Sequence, residues 1–479
     1  MREQIGEQPA HANAYWPVQE ERVAMLASAC ALLDRAVEDL PQNSVAPICD
    51  LASVRMAVAA FDFDAPSDPL TATRRVIDLL EGGIVHTMHP GYFGLFNPSV
   101  TFPGIVADLV TAYLNPQLAV WSHAPVPIEM EARVVAEIAA LFGWPALGTQ
   151  GHFTSGGAEA NHTAMLLALT HASPGFADVG TGVFGGAPRL YASAESHLAW
   201  FKIAHAVGIG RDALRLVGTD GHGRIKPELL RAAIESDLVA GHRPILIAAT
   251  AGTTNAGMID PIKACGTIAR DLGLWLHVDA AWGGAVAMLP ERRALLDGIQ
   301  GADSITVDAH KWLSVPMGAG MLLCRHTDIL SDTFRVAASY MPAGLDSIDP
   351  YTHSMQWSRR FIGLKLFLSL ACMGWAGYQK LVQHSLNMCA DLRDRLTAAG
   401  WRIVNESPLA VLCFTDPTRD LNLAAIAARV VIDGRAWISA PQFEGRPVLR
   451  ACITSHRTET HHLDHLVRAL DEARQQTAL

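Results

Sequence analysis

The chain has 479 residues, half of them hydrophobic, enough for a large core and more than one domain. Only 18% are charged and the net charge is −10, which argues against a nucleic-acid partner and for surface buried in an oligomer. No apolar run reaches membrane-spanning length, and the polar, acidic N-terminus does not read as a signal peptide. Eight scattered cysteines, none in a CxxC pair, read as core residues in a reducing cytoplasm.

In chain order, residues 18–39 place Val23, Leu26, Cys30, Leu33 and Val37 at helical spacing, and a second helix falls within 68–83, ending at Gly82-Gly83. HPGYFGLFNPSVTFPG then reads as loop. From about 130 to 325 short apolar runs alternate with helical segments. The runs are RLYAS (189–193), ALRLV (213–217), ILIAAT (245–250), LWLHVD (274–279), SITVD (304–308) and GMLLC (320–324). Continuously apolar strands belong to a parallel sheet covered on both faces, so the fold class is α/β. One intervening helix is expected to use Asp260 as N-cap and Pro261 at its first position, and to close at Gly273. A long helix within 377–398 closes at Gly400, a strand covers 410–414, and a last helix begins near Thr458. The expected division is an N-terminal helical arm (1–100), a large α/β domain with a mostly parallel central sheet (101–365) and a small C-terminal α+β domain (366–479).

Ligands of open parallel sheets sit beyond the carboxyl ends of the strands. Ser155-Gly156-Gly157 opens a helix at about Ala158, a place that suits a phosphate, though alone it is an ordinary glycine turn. His197 follows LYASAES and Thr253 follows ILIAAT; each by itself reads as a loop polar residue. Asp279 ends a wholly apolar strand, where a carboxylate needs a cation or a donor. Asp308, His310 and Lys311 follow SITV, and a lysine there must shift its pKa or react. A phosphate cradle, an aspartate and a strand-end lysine together are what pyridoxal phosphate requires. The histidines His461-His462 and His152 lack partners at ligand spacing, so no metal site is expected.

With these residues in place, the chain resembles the group II pyridoxal-phosphate-dependent amino-acid decarboxylases, the family of aromatic L-amino-acid, tyrosine, histidine and glutamate decarboxylases. The matching segments are TSGGAEAN (154–161), AGTTNAG (251–257), HVDAAWGG (277–284) and DAHKWL (308–313), with further similarity at 89–109, 121–131, 359–366 and 448–458. The resemblance implies fold type I and a homodimer whose active site lies at the interface, with residues near 117–121 reaching the partner. Lys311 would hold the cofactor covalently and Asp279 would pair with its pyridine nitrogen. Ala281 and His197 would lie on its two faces. Gly157, Ala158, Asp308 and His310 match phosphate-side positions. Thr253 matches a threonine near cofactor and substrate carboxylate. Tyr340, 29 residues beyond Lys311, matches the loop tyrosine that returns a proton after carbon dioxide leaves. Phe96, Leu95 and His89 fall on the substrate side.

The sequence also departs from the family pattern. Ala158 replaces a hydroxyl residue, and Thr87, Leu95 and Ala119 stand where animal aromatic decarboxylases carry bulky rings. The expected reaction is decarboxylation of an aromatic or large apolar L-amino acid. An aldehyde synthase, another pyridoxal-phosphate lyase or transaminase, and a non-catalytic protein on the same scaffold are the alternatives. Product analysis separates the first two, and a Lys311→Ala protein unchanged in function would point to the last.

Overall fold

The computed structural model describes residues 16–145, 148–336 and 349–477. Three helices lead the chain: α1 (Gln19–Asp39), α2 (Leu51–Ala59) and α3 (Pro69–Gly83). Asp50 and Asp68 cap α2 and α3 by accepting from Ser53 and Thr71 N–H. Neither α1 nor α2 fully buries a residue within the chain, and of the apolar stripe of α1, which packs against α3, Val23 and Leu33 stay exposed while Leu26 and Val37 are half-buried. Helices α4 (Phe102–Leu114) and α5 (Pro125–Leu141) follow, each with proline in its first turn, where the missing N–H costs nothing.

The centre is a seven-stranded sheet. Its strands are β1 (Gln150–Thr154), β2 (Pro188–Ser193), β3 (Leu214–Val217), β4 (Arg243–Thr250), β5 (Trp275–Asp279), β6 (Ser304–Asp308) and β7 (Gly320–Cys324), in the spatial order β1-β7-β6-β5-β4-β2-β3. The block from β6 to β3 is parallel, while β7 is antiparallel to both β6 and β1. The apolar run GMLLC therefore belongs to the one reversed strand. Eleven residues separate β6 from β7, too few for a parallel crossover.

The strands read as unbroken apolar runs because both faces are covered. Leu246 and Ala248 of β4 face one core with Leu322 and Cys324 of β7, while Ile247, Ala249, Met321 and Leu323 face the other. Each such Leu or Ile contributes roughly 1.5–3 kcal/mol by burial. Among the flanking helices are α6 (Gly157–Ala172), α7 (Pro227–Val239) and α8 (Ile262–Leu272), the last closed by Gly273 at φ 69°.

Asp260 is not the N-cap of α8. That helix starts at Ile262, and the Asp260 carboxylate is buried, accepting the N–H groups of Ile225 and Thr250, each at 2.8 Å. Two backbone donors, one at the end of β4 and one in the segment before α7, outcompete the local cap, and burial still raises its pKa from 3.8 to about 6.

The helical run α9 (Leu364–Ala398) is two helices meeting at a kink at Gly374 (φ 61°, ψ 178°), and the second contains the helix expected within 377–398. A three-stranded sheet of β8 (Arg402–Ile403), β9 (Val411–Thr415) and β10 (Leu449–Cys452) follows, packed with α10 (Leu423–Asp433) and α11 (Thr460–Thr477). All eight cysteines are free. Five are buried, but Cys30, Cys49 and Cys372 are exposed rather than in the core. Among the described residues no helix is long and apolar enough to cross a membrane.

Candidate active site

The C-terminal ends of β4, β5 and β6 and the N-terminus of α6 meet at one cavity. Lys311, Asp279, Asn161, His197, Thr254 and Ala281 are among its lining residues, with Gly157, Ala158 and Thr250. The sheet itself sets this geometry. Parallel neighbours in register put Asp279 beside Thr250 on one side and Thr306 on the other.

Lys311 lies just past β6, with its Nζ 2.8 Å from Asp308 Oδ2. The lysine side chain is one-quarter exposed and the aspartate 2% exposed. Asp308 Oδ1 is buried without a hydrogen bond. His310 stands 3.9 Å from Asp308 through Nε2, and its Nδ1 accepts the Ala319 N–H at 3.1 Å. Burial lowers the His310 pKa. Helix α6 begins against this group. A Cβ at Gly157 would come within 2.8 Å of Asp308 Oδ2, so only glycine lets the helix N-terminus approach this closely. The Ser155 N–H is taken by Glu159 Oε2 at 2.7 Å, and the start of α6 at Gly157 gives a helix N-terminus beside the lysine that suits an anion.

Asp279 is buried at 7% exposure, yet its two oxygens have partners. Oδ1 accepts the Ala281 N–H at 3.1 Å, and Oδ2 accepts Asn161 Nδ2–H at 2.8 Å. Both partners are donors, which suits a carboxylate that stays ionised and faces a cationic ring atom.

The structure thus brings together Lys311, Asp279, Asp308, His310, Gly157, Ala158, Ala281 and His197. His197 is exposed, and its Nδ1 accepts the Ala199 N–H at 3.1 Å, which fixes the ring. Thr253 does not face the cavity. Its side chain is fully buried and its Oγ1 accepts the Met258 N–H at 3.0 Å, bracing the turn; the next residue, Thr254, lines the cavity instead. Phe96 is not among the lining residues but stacks on Trp282, which is, with centroids 4.1 Å apart. His89 is buried elsewhere, with Nδ1 accepting the Gly91 N–H, and Leu95 is 43% exposed outside the cavity. Tyr340 lies outside the described residues.

Two residues of this site escaped the sequence reading. Asn161 touches Asp279. Arg450, on β10, is 3% exposed and donates to Ser439 Oγ, to the Thr254 carbonyl at 2.7 Å and to the Gly94 carbonyl. Every one of these acceptors is neutral. A buried guanidinium without a carboxylate is costly, and that cost was the signal to look for.

A lysine beyond one strand, a donor-braced carboxylate ending the next and a glycine-started helix beneath both fit pyridoxal phosphate. Lys311 would hold its aldehyde carbon, Asp279 its ring nitrogen and the start of α6 its phosphate. Such a site on this sheet defines a pyridoxal-phosphate enzyme of fold type I.

Comparison with known proteins narrows the class. The profile of the pyridoxal-dependent decarboxylase conserved domain matches residues 60–416. The 4-hydroxyphenylacetaldehyde synthase of Rhodiola rosea is 30% identical over 408 residues, 82% of each chain. The aromatic-L-amino-acid decarboxylase of Bacillus atrophaeus is 27% identical over 394 residues, 79% of this chain and 80% of its own. The crystal structure of mouse CSAD superimposes with a TM-score of 0.89 at 26% identity, covering 95% of this chain and 99% of that one. The chain belongs to the pyridoxal-dependent decarboxylase family, whose cofactor is pyridoxal 5′-phosphate.

Proposed function

We propose that the protein removes the α-carboxylate of an aromatic or large apolar L-amino acid, releasing the amine and carbon dioxide. The observation that carries this is the pairing of Lys311 with a donor-braced Asp279 in one cavity. The bound cofactor supplies an electron sink for the broken carbon–carbon bond. Asp279 keeps the ring nitrogen cationic, so that the sink is deep. His197 would cover one face of the cofactor ring and Ala281 the other. Arg450, with only neutral acceptors among the described residues, is suited to pair with the substrate carboxylate. Tyr340 returns a proton to Cα. Among the described residues lining the cavity Lys311 is the one lysine or arginine, and Arg450 behind Thr254 is assigned to the α-carboxylate, which favours an uncharged substrate side chain over a glutamate-like one.

A second reading is supported by the likeness to the Rhodiola synthase, in which the same scaffold yields an aldehyde. One experiment tests both. The holoprotein is given a panel of aromatic, aliphatic and acidic L-amino acids, and amine, carbon dioxide, aldehyde, ammonia and hydrogen peroxide are quantified. Stoichiometric amine and carbon dioxide from aromatic substrates support the first reading. Aldehyde with peroxide replaces it with the second, and activity confined to acidic substrates overturns the substrate class.

The enzyme acts as a cytoplasmic homodimer in this reading. Support comes from apolar side chains that one chain leaves in water: Val23, Leu33, Ile48, Leu51, Met56 and Phe102 are each more than half exposed. Leu118, Ala119 and Val120 are already buried within one chain, leaving Gln117 and Trp121 of that stretch for a partner. Gel filtration of a fully active monomer would contradict the dimer.

A further inference from the structure

We propose that Asn161 is a positioning residue for Asp279, held in one orientation by a hydrogen-bond chain that starts at Trp275 and runs through the sheet. The inference rests on the reading that Asp279 holds the cofactor's ring nitrogen.

The chain has a direction fixed by chemistry. Trp275 Nε1–H can only donate, and it donates to Ser304 Oγ at 2.8 Å. Ser304 is fully buried, and the acceptor within reach of its own proton is His277 Nδ1, also at 2.8 Å. With Nδ1 accepting, the neutral imidazole carries its proton on Nε2, which faces Asn161 Oδ1 at 3.0 Å. Thr306 Oγ1 gives a second hydrogen bond to the same oxygen at 2.7 Å. Two donors therefore hold the Asn161 carbonyl on one side. The amide NH₂ is forced to the other, 2.8 Å from Asp279 Oδ2.

Reversal of the chain fails at both ends. An Asn161 turned by 180° would set its oxygen against a carboxylate oxygen unless Asp279 were protonated. The Ser304 proton would then lose its acceptor in a fully buried site, at the cost of an unsatisfied polar group. Only ionised Asp279 satisfies every member. His277 contributes as a neutral ring, since burial lowers its pKa from 6.5 to about 4. The chain runs between two strands and a helix, joining β5 and β6 to α6, so the rigid sheet sets the angle at which Asp279 meets its ligand.

Asn161 touches Asp279 rather than the reacting atoms, so its test must read the state of the ring nitrogen. Full-length wild type, Asn161→Leu, Asn161→Asp and Ser304→Ala are loaded with pyridoxal phosphate labelled with ¹⁵N in the ring. The ¹⁵N resonance, the cofactor dissociation constant and the melting temperature of the cofactor-free protein are measured. Wild type should show a protonated nitrogen. Asn161→Leu and Asn161→Asp should lose affinity roughly tenfold or more, as a buried carboxylate left without its donor does, and should move the resonance toward the unprotonated position. Ser304→Ala, a small change remote from the ligand, should shift the resonance the same way by less, and stands in should the Asn161 variants fail to fold. A purely structural Asn161 would lower the melting temperature and leave the resonance in place. An unchanged resonance in every folded variant overturns the inference. A wild type that takes up no cofactor, or holds it with an unprotonated nitrogen, overturns the underlying reading and this one with it.

Discussion

Lys311 Nζ and Asp308 Oδ2 form a 2.8 Å ion pair beside the N-terminus of α6, and the other oxygen of that carboxylate is buried without a partner. The pairing suits an ammonium awaiting a ligand but sets a negative charge where a phosphate must come. Like charges about 5 Å apart repel by roughly 3 kcal/mol at an effective dielectric near 20. Asp308→Asn keeps the shape and removes the charge. It should bind pyridoxal phosphate about tenfold or more tightly than wild type at neutral pH, measured by titration of the cofactor-free protein. Weaker binding would overturn the reading of this carboxylate as a group that repels the phosphate.

Arg450 leads to a different signature. Its guanidinium is buried among Ser439, Thr254 and Gly94, with no carboxylate partner among the described residues. If the substrate carboxylate is the missing partner, Arg450→Met should raise KM by about 10²-fold, the scale of a desolvated charge pair. The melting temperature of the cofactor-free protein should change little, because a lone buried charge is lost together with three neutral hydrogen bonds. A variant with unchanged KM and a large drop in melting temperature would make Arg450 a structural residue.

The parts of this site that the sequence makes legible are those tied to strand ends. LWLHVD and SITVD stand out because both faces of β5 and β6 are buried, and Asp279 and Lys311 follow directly from those runs. The direction of β7 leaves no mark in its apolar composition; only the eleven residues between SITVD and GMLLC, too few for a parallel crossover, carry it. Asn161 and Arg450 were hidden for another reason. Their partners lie 118 and 196 residues away, and a polar residue on a helix or strand carries no periodic mark of what it will meet. The apparent cap at Asp260 misled because its donors, too, come from distant segments. Thr253 and Thr254 differ only in which of two adjacent threonines the turn consumes.

His152 should make the protein sensitive to acid. Both its ring nitrogens are buried without hydrogen bonds, and burial, with the charge of Arg359 and then His353 nearby, lowers its pKa from 6.5 to about 3. Gln150, Glu131, His353 and Arg359 line the space around it. The folded state holds the ring neutral while the unfolded chain protonates near pH 6.5. Stability from this residue is therefore full above pH 6.5 and drains away as pH falls toward 3. By pH 5 the loss is on the order of 2 kcal/mol. His152→Leu removes the titration. Its stability relative to wild type, measured by urea unfolding, should rise by about that amount between pH 7.5 and pH 5. A constant difference across that range would mean that His152 protonates freely in the folded protein.

Glu131 and Arg359 form the most deeply buried ion pair among the described residues, at 2.5 Å with side chains 5% and 4% exposed. It ties three elements together. Glu131 belongs to α5, and its second oxygen accepts the Gly363 N–H at the start of α9. The Arg359 carbonyl accepts the Leu118 N–H, anchoring the segment that joins α4 to α5. Taking two charges out of water is expensive, so the pair as a whole adds little net stability. Removing one partner is another matter, because the survivor stays buried and uncompensated. Arg359→Met and Glu131→Gln should each cost about 3–5 kcal/mol, and the double variant Glu131→Leu with Arg359→Met should recover more than half of the loss. Urea unfolding followed by far-UV circular dichroism gives all four corners of the cycle. Single-variant losses below about 1 kcal/mol, the level of a surface pair, would show that water reaches this site in solution.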